Sequence, residues 1–279
     1  MSRRTYAGLN NRKEKKMLLE GKNVVVYGAG GAVGGAVARG FAREGARVFL
    51  TGRDSGALDA VAKEISTAGG AAETAVVDAV DERAVAGHLE TVIAATGGID
   101  VSFNAIGISP RGLQGIPLAE LPVENFLLPI TTYTRAHFVT AKSAARHMIP
   151  RGSGVIMMHT PEPARASMPL VGGMSVGWAA MEALNRALSA EWGRYGVRSV
   201  CLRTTGMVET PVIDVVYGLH ADALGITRDQ FTAAAIDLTH RKRPTTLAEL
   251  TAVAVFLASD HASAMTGTVA NLTGGLIVD

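Results

Sequence analysis

The polar side chains best suited to chemistry fall in the middle of the chain. Tyr133 and His137 are four residues apart, so on a helix both would lie on one face, where the imidazole could tune proton transfer by the phenol. Thr160 lies two residues after the apolar run Val155–Met158, and His159 and Glu162 are close to it in the sequence. The simpler alternative, which we favour, makes Tyr133 a buried aromatic residue and His137 a helix-surface or interface residue. His159 could equally bond to the backbone, and Glu162 could be a solvated loop residue.

A second chemical feature is the glycine-rich run Gly28–Gly35, which follows the apolar run Asn23–Tyr27. Glycines let backbone N–H groups approach a pyrophosphate, and the N-terminus of a following helix favours its negative charge. Gly28 and Gly30 fit the pattern G-x-G-x-x-G, but Val33 stands at its third position. The alternative interpretation is a glycine-rich turn selected only for tight packing of the strand against the helix. The run lies in the first strand–helix unit of the chain, and this position favours nucleotide binding.

These residues need a scaffold, and the chain supplies short β-branched runs that alternate with amphipathic stretches. The predicted strands are Asn23–Tyr27, Arg47–Thr51, Thr74–Val77, Ile99–Phe103, Gly154–Met158, Val197–Leu202 and Gly267–Leu272. Such alternation predicts an α/β fold with a Rossmann-like, doubly wound parallel sheet in a three-layer α/β/α arrangement. We expect a single domain over residues 22–279. Residues 206–243 interrupt the rhythm after a strand and are predicted to form a substrate lid.

Composition narrows the class of protein further. Of 279 residues, 48% are hydrophobic and 19% are charged, which is enough apolar material for a large core. The single cysteine, Cys201, excludes an intramolecular disulfide and a cysteine-based zinc site. No group of His, Asp and Glu has the spacing of metal ligands, so no metal is predicted. The absence of a long apolar run and of a signal-peptide pattern predicts a soluble, cytoplasmic protein that does not enter a membrane.

The charge is uneven along the chain. Residues 1–22 contain seven of the 27 basic residues, namely Arg3, Arg4, Arg12, Lys13, Lys15, Lys16 and Lys22. A basic arm could contact nucleic acid or anionic lipid, but a solvated terminal arm over residues 1–21 is the interpretation we adopt. No nucleic-acid partner is therefore expected.

Several motifs together resemble the short-chain dehydrogenase/reductase family, and the resemblance covers nearly all of the chain after residue 21. The turn is similar to that family's T-G-x-x-x-G-x-G, with Tyr27 and Ala32 in place of Thr and the middle Gly. The segment Val76–Asp81 resembles the one whose aspartate holds the adenine, Asn104–Gly107 resembles N-N-A-G, and Ala248–Gly267 resembles the closing motif. The resemblance implies cofactor contacts at Gly28, Gly30, Gly31, Ala32, Val33, Gly34, Asp78, Ala79, Asn104, Ala105 and Ile106.

The end of the second predicted strand bears on which cofactor is bound. An acidic residue there would accept hydrogen bonds from the adenosine ribose and favour NAD(H). Gly52 occupies that place, and Arg53 follows it, where a guanidinium can pair with a 2′-phosphate. We therefore predict NADP(H) in preference to NAD(H). The alternative is that Arg53 caps the turn or pairs with Asp54.

The catalytic signature that the resemblance implies is altered. The family uses a Tyr, a Lys four residues later, a Ser and an Asn, but no tyrosine here has a lysine four residues on. Met174 and Trp178 occupy the Tyr and Lys positions, Thr160 the Ser position and Tyr133 the Asn position. The candidate catalytic residues are therefore Thr160 and Tyr133. Trp178 is expected in the core, with stacking on a nicotinamide as the alternative.

Three functions remain open on these observations. The preferred one is an NADP(H)-dependent oxidoreductase that acts on a small hydrophobic carbonyl compound, enone or alcohol. The alternatives are an inactive NADP(H)-binding sensor or scaffold and a non-redox lyase or cyclase. The resemblance also implies a homodimer or homotetramer formed through the predicted helices 129–148 and 172–194.

Overall fold

In the computed structural model, which describes residues 17–278, seven parallel strands form one sheet. The strands are β1 (Asn23–Tyr27), β2 (Arg47–Gly52), β3 (Ala71–Val76), β4 (Val101–Asn104), β5 (Gly154–Pro161), β6 (Val197–Thr204) and β7 (Val269–Leu272). Their order in the sheet is β3-β2-β1-β4-β5-β6-β7. The order reverses direction at β1 and β4, which is the switch point where open α/β sheets bind ligands. The predicted fold class is confirmed.

Eight α-helices in the described part of the chain cover the two faces of the sheet. They are α1 (Ala32–Arg43), α2 (Ser55–Thr67), α3 (Glu82–Thr96), α4 (Val123–Arg151), α5 (Gly173–Trp192), α6 (Pro211–Leu224), α7 (Arg228–Asp237) and α8 (Leu247–Ala258). Helices α1, α2 and α8 share one apolar core with the sheet, and α3, α4 and α5 share the other. The result is the predicted three-layer arrangement.

Strand β1 illustrates why the sequence selects this sheet. Val24 and Val26 belong to the core beneath α1, whereas Val25 and Tyr27 belong to the core beneath α4. Successive side chains of a strand point to opposite faces, so a strand covered on both faces is apolar at every position. The unbroken apolar run that marked β1 in the sequence is therefore explained by helices on both sides.

Six of the seven predicted strands differ from the observed ones in at least one end. Strand β2 ends one residue later, at Gly52, β4 runs from Val101 to Asn104 instead of from Ile99 to Phe103, and β7 begins at Val269 instead of Gly267. Strand β3 begins at Ala71 instead of Thr74, because this edge strand is largely exposed and lacks the apolar run on which the prediction rested. Strands β5 and β6 continue to Pro161 and Thr204, beyond the predicted ends at Met158 and Leu202. These extensions pair with each other, Thr160 opposite Arg203 and Pro161 opposite Thr204.

The predicted basic arm lies mostly outside the described residues, which begin at Met17. Leu19 is fully buried in the core, and its N–H donates to the carbonyl oxygen of Glu44 at 2.8 Å. The packed body therefore includes Leu19, before the predicted domain start at residue 22. Lys22 forms an ion pair with Asp260 at 2.8 Å. Between Met17 and Val278, no helix is both long enough and apolar enough to cross a membrane.

Candidate active site

A large cavity, about 1230 Å³ in volume, runs along the carboxyl ends of the strands. Residues that directly follow β1, β2, β4 and β6 line it, as do the last residues of β5. The glycine turn forms one end. The other end is enclosed by α4, α5 and the segment that carries α6 and α7, which is the predicted lid.

The glycine turn fits the phosphates of a nucleotide. Gly28 has φ of +73°, and a Cβ there would lie 2.7 Å from the carbonyl oxygen of Ala105. A Cβ at Gly34 would collide with the carbonyl oxygen of Gly28. Helix α1 starts at Ala32, directly after the turn, so its first N–H groups have no acceptor within the helix. The predicted contacts Gly28, Gly30, Gly31, Ala32 and Val33 all line the cavity, whereas Gly34 packs behind it.

The adenosine end of the cavity contains Arg53 and Asp78. The Arg53 side chain is exposed, lines the cavity and forms no hydrogen bond or ion pair with the rest of the described chain. Asp54 accepts from the N–H of Ala57 at 3.1 Å and caps α2, so the alternative Arg53–Asp54 pair is not present. Asp78 and Ala79 line the same end, and Asp78 accepts from the N–H of Val80 at 3.2 Å.

Asn104 lies behind the cavity wall. Its amide nitrogen donates to the Thr140 hydroxyl at 3.0 Å, and its amide oxygen accepts from the Ile106 N–H at 3.1 Å. Asn104 therefore does not reach the cavity, in contrast to the expectation from the N-A-I-G run. It shapes the loop that presents Ala105 and Ile106 to the cavity.

At the other end, the structure brings Tyr133, Met174 and Trp178 together. All three line the cavity, and the ring centroids of Tyr133 and Trp178 are 6.1 Å apart. Burial raises the pKa of the Tyr133 phenol, and contacts with the Ile108 backbone and the Trp178 side chain partly offset that rise. Trp178 is buried in the core, as expected, but also faces the cavity. The wall is thus apolar except for one phenol.

Thr160 is not brought to the cavity. Its fully buried hydroxyl donates to Glu182 Oε1 at 3.0 Å, and Glu182 also pairs with Arg203 through contacts of 2.7 and 2.5 Å. Because side chains alternate along β5, the neighbours His159 and Pro161 face the cavity instead. The family motif assigns the serine position to Thr160, but the residues of β5 that face the cavity are its two neighbours. The Thr160 hydroxyl instead belongs to the buried polar cluster with Glu182 and Arg203.

His137 is buried within the chain, contrary to the favoured expectation of a helix-surface or interface position. Its Nδ1 lies 2.9 Å from the carbonyl oxygen of Tyr133, an acceptor, so Nδ1 carries the proton. Burial lowers the pKa of His137 to about 4, which keeps the ring neutral. The histidine therefore bonds to the backbone of Tyr133, and it is not among the residues that line the cavity.

Glu162 is the residue that sequence reasoning undervalued. It is only 9% exposed, lines the cavity and forms no ion pair with the described residues. Burial raises the pKa of its carboxyl to about 7, with the Gly206 backbone partly opposing the rise. Burial raises the pKa of the Tyr217 phenol on α6, and the Glu162 charge adds to that rise. The flanking prolines suggested an exposed loop, and only the extension of β5 carries Glu162 inward.

Comparison with known proteins gives the family. A profile described as "Enoyl-(Acyl carrier protein) reductase" matches residues 28–277. The chain belongs to the short-chain dehydrogenase/reductase family. Gluconate 5-dehydrogenase of Gluconobacter oxydans (strain 621H) is 30% identical over 264 residues, which cover 93% of this chain and 96% of that protein. The (+)-cis,trans-nepetalactol synthase NEPS1 of Nepeta racemosa is 31% identical over 273 residues, covering 96% and 95%.

A solved structure gives the same assignment and adds the cofactor class. The gluconate 5-dehydrogenase from Burkholderia cenocepacia J2315, in complex with NADP and tartrate, superposes with a TM-score of 0.81 at 26% identity, covering 94% of this chain and 97% of that one. The family thus includes a dehydrogenase whose structure was solved with NADP bound, and this chain shares its fold over nearly the whole length. The glycine turn, Arg53 and Asp78 are the groups that would hold such a dinucleotide. Within the described residues, no group of three or more His, Cys, Asp or Glu could hold a metal ion.

Proposed function

We propose that the protein is an NADP(H)-dependent oxidoreductase with an altered catalytic site, acting on a small hydrophobic carbonyl compound, enone or alcohol in the cytoplasm. The observation that carries the proposal is the continuity of the cavity, from the glycine turn to the wall formed by Tyr133, Met174 and Trp178. A dinucleotide bound along the turn would therefore reach a substrate held against that wall. The bound cofactor would supply or accept a hydride.

The preference for NADP(H) rests on Arg53. Its guanidinium lies at the adenosine end of the cavity and has no ion-pair partner among the described residues. The 2′-phosphate of NADP(H) would supply such a partner. A calorimetric titration with NADPH and with NADH tests this. We expect tighter binding of NADPH, and Arg53→Ala should weaken it by roughly tenfold or more while leaving NADH binding unchanged. Equal affinity for the two cofactors would contradict the preference.

The altered catalytic site rests on Met174 and Trp178. A methionine and a tryptophan transfer no protons, so a ketone reduced here would need its proton from another group. Among the predicted catalytic residues, only Tyr133 has its side chain on the cavity. Reduction of an activated C=C bond would demand less of an acid, because the anion formed is a delocalised enolate. Once a substrate has been found by screening carbonyl compounds and enones with NADPH, unchanged turnover by Tyr133→Phe would eliminate Tyr133 as the donor.

A non-redox conversion is the second candidate. It is favoured by the apolar wall and by a 31% identical relative that is named as a synthase. Such an enzyme would bind the nucleotide without consuming it. Product analysis with NADP⁺ present but without any change in absorbance at 340 nm would favour this candidate over hydride transfer. Tight cofactor binding with no conversion of any kind would instead point to a sensor or scaffold.

We also propose a homodimer or homotetramer. Helices α4 and α5 expose apolar side chains that do not line the cavity, among them Leu127, Phe138 and Val176. Apolar residues on two adjacent helices suit a self-complementary contact. Light scattering on the purified protein would give the mass, and a monomer at micromolar concentration would refute the proposal.

A further inference from the structure

The substrate end of the cavity contains a carboxyl group and no basic side chain. Of the described residues that line the cavity, the only ones with Arg or Lys side chains are Arg39 and Arg53, which lie towards the glycine turn. His159 and His220 are at the substrate end, but burial lowers the pKa of both. When Glu162 ionises, this end therefore has a negative charge with no internal counter-charge.

The position of Glu162 is fixed by its backbone. Its carbonyl oxygen accepts hydrogen bonds from the N–H groups of Arg165 and Ala166 at 3.0 and 2.9 Å. These bonds belong to a short 3₁₀ helix, Glu162–Ala164, that directly follows β5. The carboxyl lies near the Gly206 backbone, which favours its charged form. The Tyr217 hydroxyl packs on the same glycine, where an added Cβ would collide with it. The carboxyl and the phenol thus converge on Gly206.

Aromatic rings complete this compartment. The Tyr217 ring lies 5.1 Å from that of Phe231, and the His220 ring lies 5.4 Å from Phe231, measured between centroids. All three residues line the cavity. Aromatic faces attract a cation placed near them, and a carboxylate supplies the charge-assisted hydrogen bond that holds it in position.

We propose that Glu162 anchors a positively charged nitrogen of the substrate, so that the site takes a small apolar carbonyl compound or alcohol that also bears a protonated amine. The inference deepens the proposed function and rests on it for the carbonyl or alcohol part only. Burial destabilises the ionised form of the Glu162 carboxyl. An ammonium group placed between Glu162 and the rings of Tyr217 and Phe231 would stabilise that ionised form.

The same charge excludes other substrate classes. Gluconate and tartrate, named for the relatives above, are anions at neutral pH, and an anion placed here would face Glu162 with no basic side chain from the cavity wall to offset the repulsion. A neutral substrate would leave the carboxylate without compensation. Acidic substrates are therefore expected to bind weakly, and neutral ones less tightly than amines.

Three probes of one size and different charge test the proposal: benzylamine, benzyl alcohol and benzoate. Each is titrated into the protein by calorimetry at pH 7.5, with and without NADP⁺. We expect benzylamine to bind roughly tenfold or more tightly than benzyl alcohol, and benzoate not to bind. Equal binding of the amine and the alcohol, or binding of benzoate, overturns the proposal.

The variant Glu162→Gln keeps the size of the side chain and removes its charge. It should abolish the preference for the amine, whereas Glu191→Gln, a change at an exposed carboxyl outside the cavity, should leave it unchanged. A preference that survives Glu162→Gln overturns the proposal. NADPH titrations of the same samples keep the two ideas separate. In the wild-type protein, absence of amine binding with intact NADPH binding would refute the amine anchor alone, and absence of NADPH binding with the amine preference retained would refute the proposed function alone.

Proton release supplies a measurement that needs no variant. Capture of an ammonium ion by a carboxyl that is partly protonated at pH 6 expels that proton, and the heat of binding then varies with the ionisation enthalpy of the buffer. The other titratable groups on this part of the cavity wall are Tyr133, His159, Tyr217 and His220. Burial raises the pKa of both phenols, lowers that of His159 to about 4 and lowers that of His220, so each of these shifts favours the neutral form. We expect proton release at pH 6 and none at pH 8.5, and a buffer-independent heat at pH 6 would overturn the assignment to Glu162.

Discussion

Replacing Glu162 by glutamine should stabilise the protein at alkaline pH and matter much less at acid pH. Burial raises the pKa of this carboxyl from 4.5 to about 7, so the folded protein holds the proton more tightly than the unfolded chain. Between these two values the folded state binds more protons, and stability is lost as pH rises. At about 1.4 kcal/mol per pKa unit, the difference in unfolding free energy between variant and wild type should grow by about 2.5 kcal/mol from pH 5 to pH 8.

Urea unfolding of both proteins at pH 5, 6, 7 and 8 measures this quantity directly. Every other ionisable group is common to the two proteins, so the difference between their curves isolates Glu162. Glu191→Gln, the same change at an exposed carboxyl outside the cavity, serves as the matched control. If the Glu162→Gln difference stays within about 0.5 kcal/mol over the whole range, the carboxyl titrates normally and the reasoning from burial is wrong.

Two further predictions concern the scaffold of the site. Gly34→Ala should weaken NADPH binding by roughly tenfold or more, measured by calorimetry, because the new Cβ would collide with the Gly28 carbonyl oxygen and distort the turn; unchanged affinity would show that the turn tolerates the shift. Glu182→Gln should lower the unfolding free energy by roughly 3 kcal/mol in urea, because it weakens a bidentate ion pair with Arg203 that is almost fully buried; a loss below about 1 kcal/mol would contradict this.

The parts of the fold that depend on local pattern could be predicted from the sequence. The apolar run of β1 and the glycine turn after it lie where the sequence indicates, because the residue types of each short segment are enough to mark it. Arg53 also lines the cavity, as the sequence predicts. It directly follows β2, and the residues that follow parallel strands lie at the edge of the sheet where the cavity runs. Such features need no knowledge of distant parts of the chain.

The parts that depend on packing between distant segments could not be predicted. Thr160 faces Glu182 and not the cavity, because the pairing of β5 with β6 fixes which side of the strand it occupies. His137 is buried because α4 packs against the sheet along that side, which an i, i+4 pattern does not specify. Glu162 looks like an exposed loop residue in the sequence and becomes part of the cavity wall only through the lengthened β5.

The buried cluster of Thr160, Glu182 and Arg203 ties α5 to β5 and β6, and none of its three members lines the cavity. Met174 and Trp178 lie on the same helix but meet the cavity. On this helix, the residue that anchors it to the sheet is therefore different from the residues that line the cavity. Over evolutionary time, the second set can be exchanged while the first holds the helix in place. Families built this way can change their chemistry by a few substitutions, without passing through an unfolded ancestor.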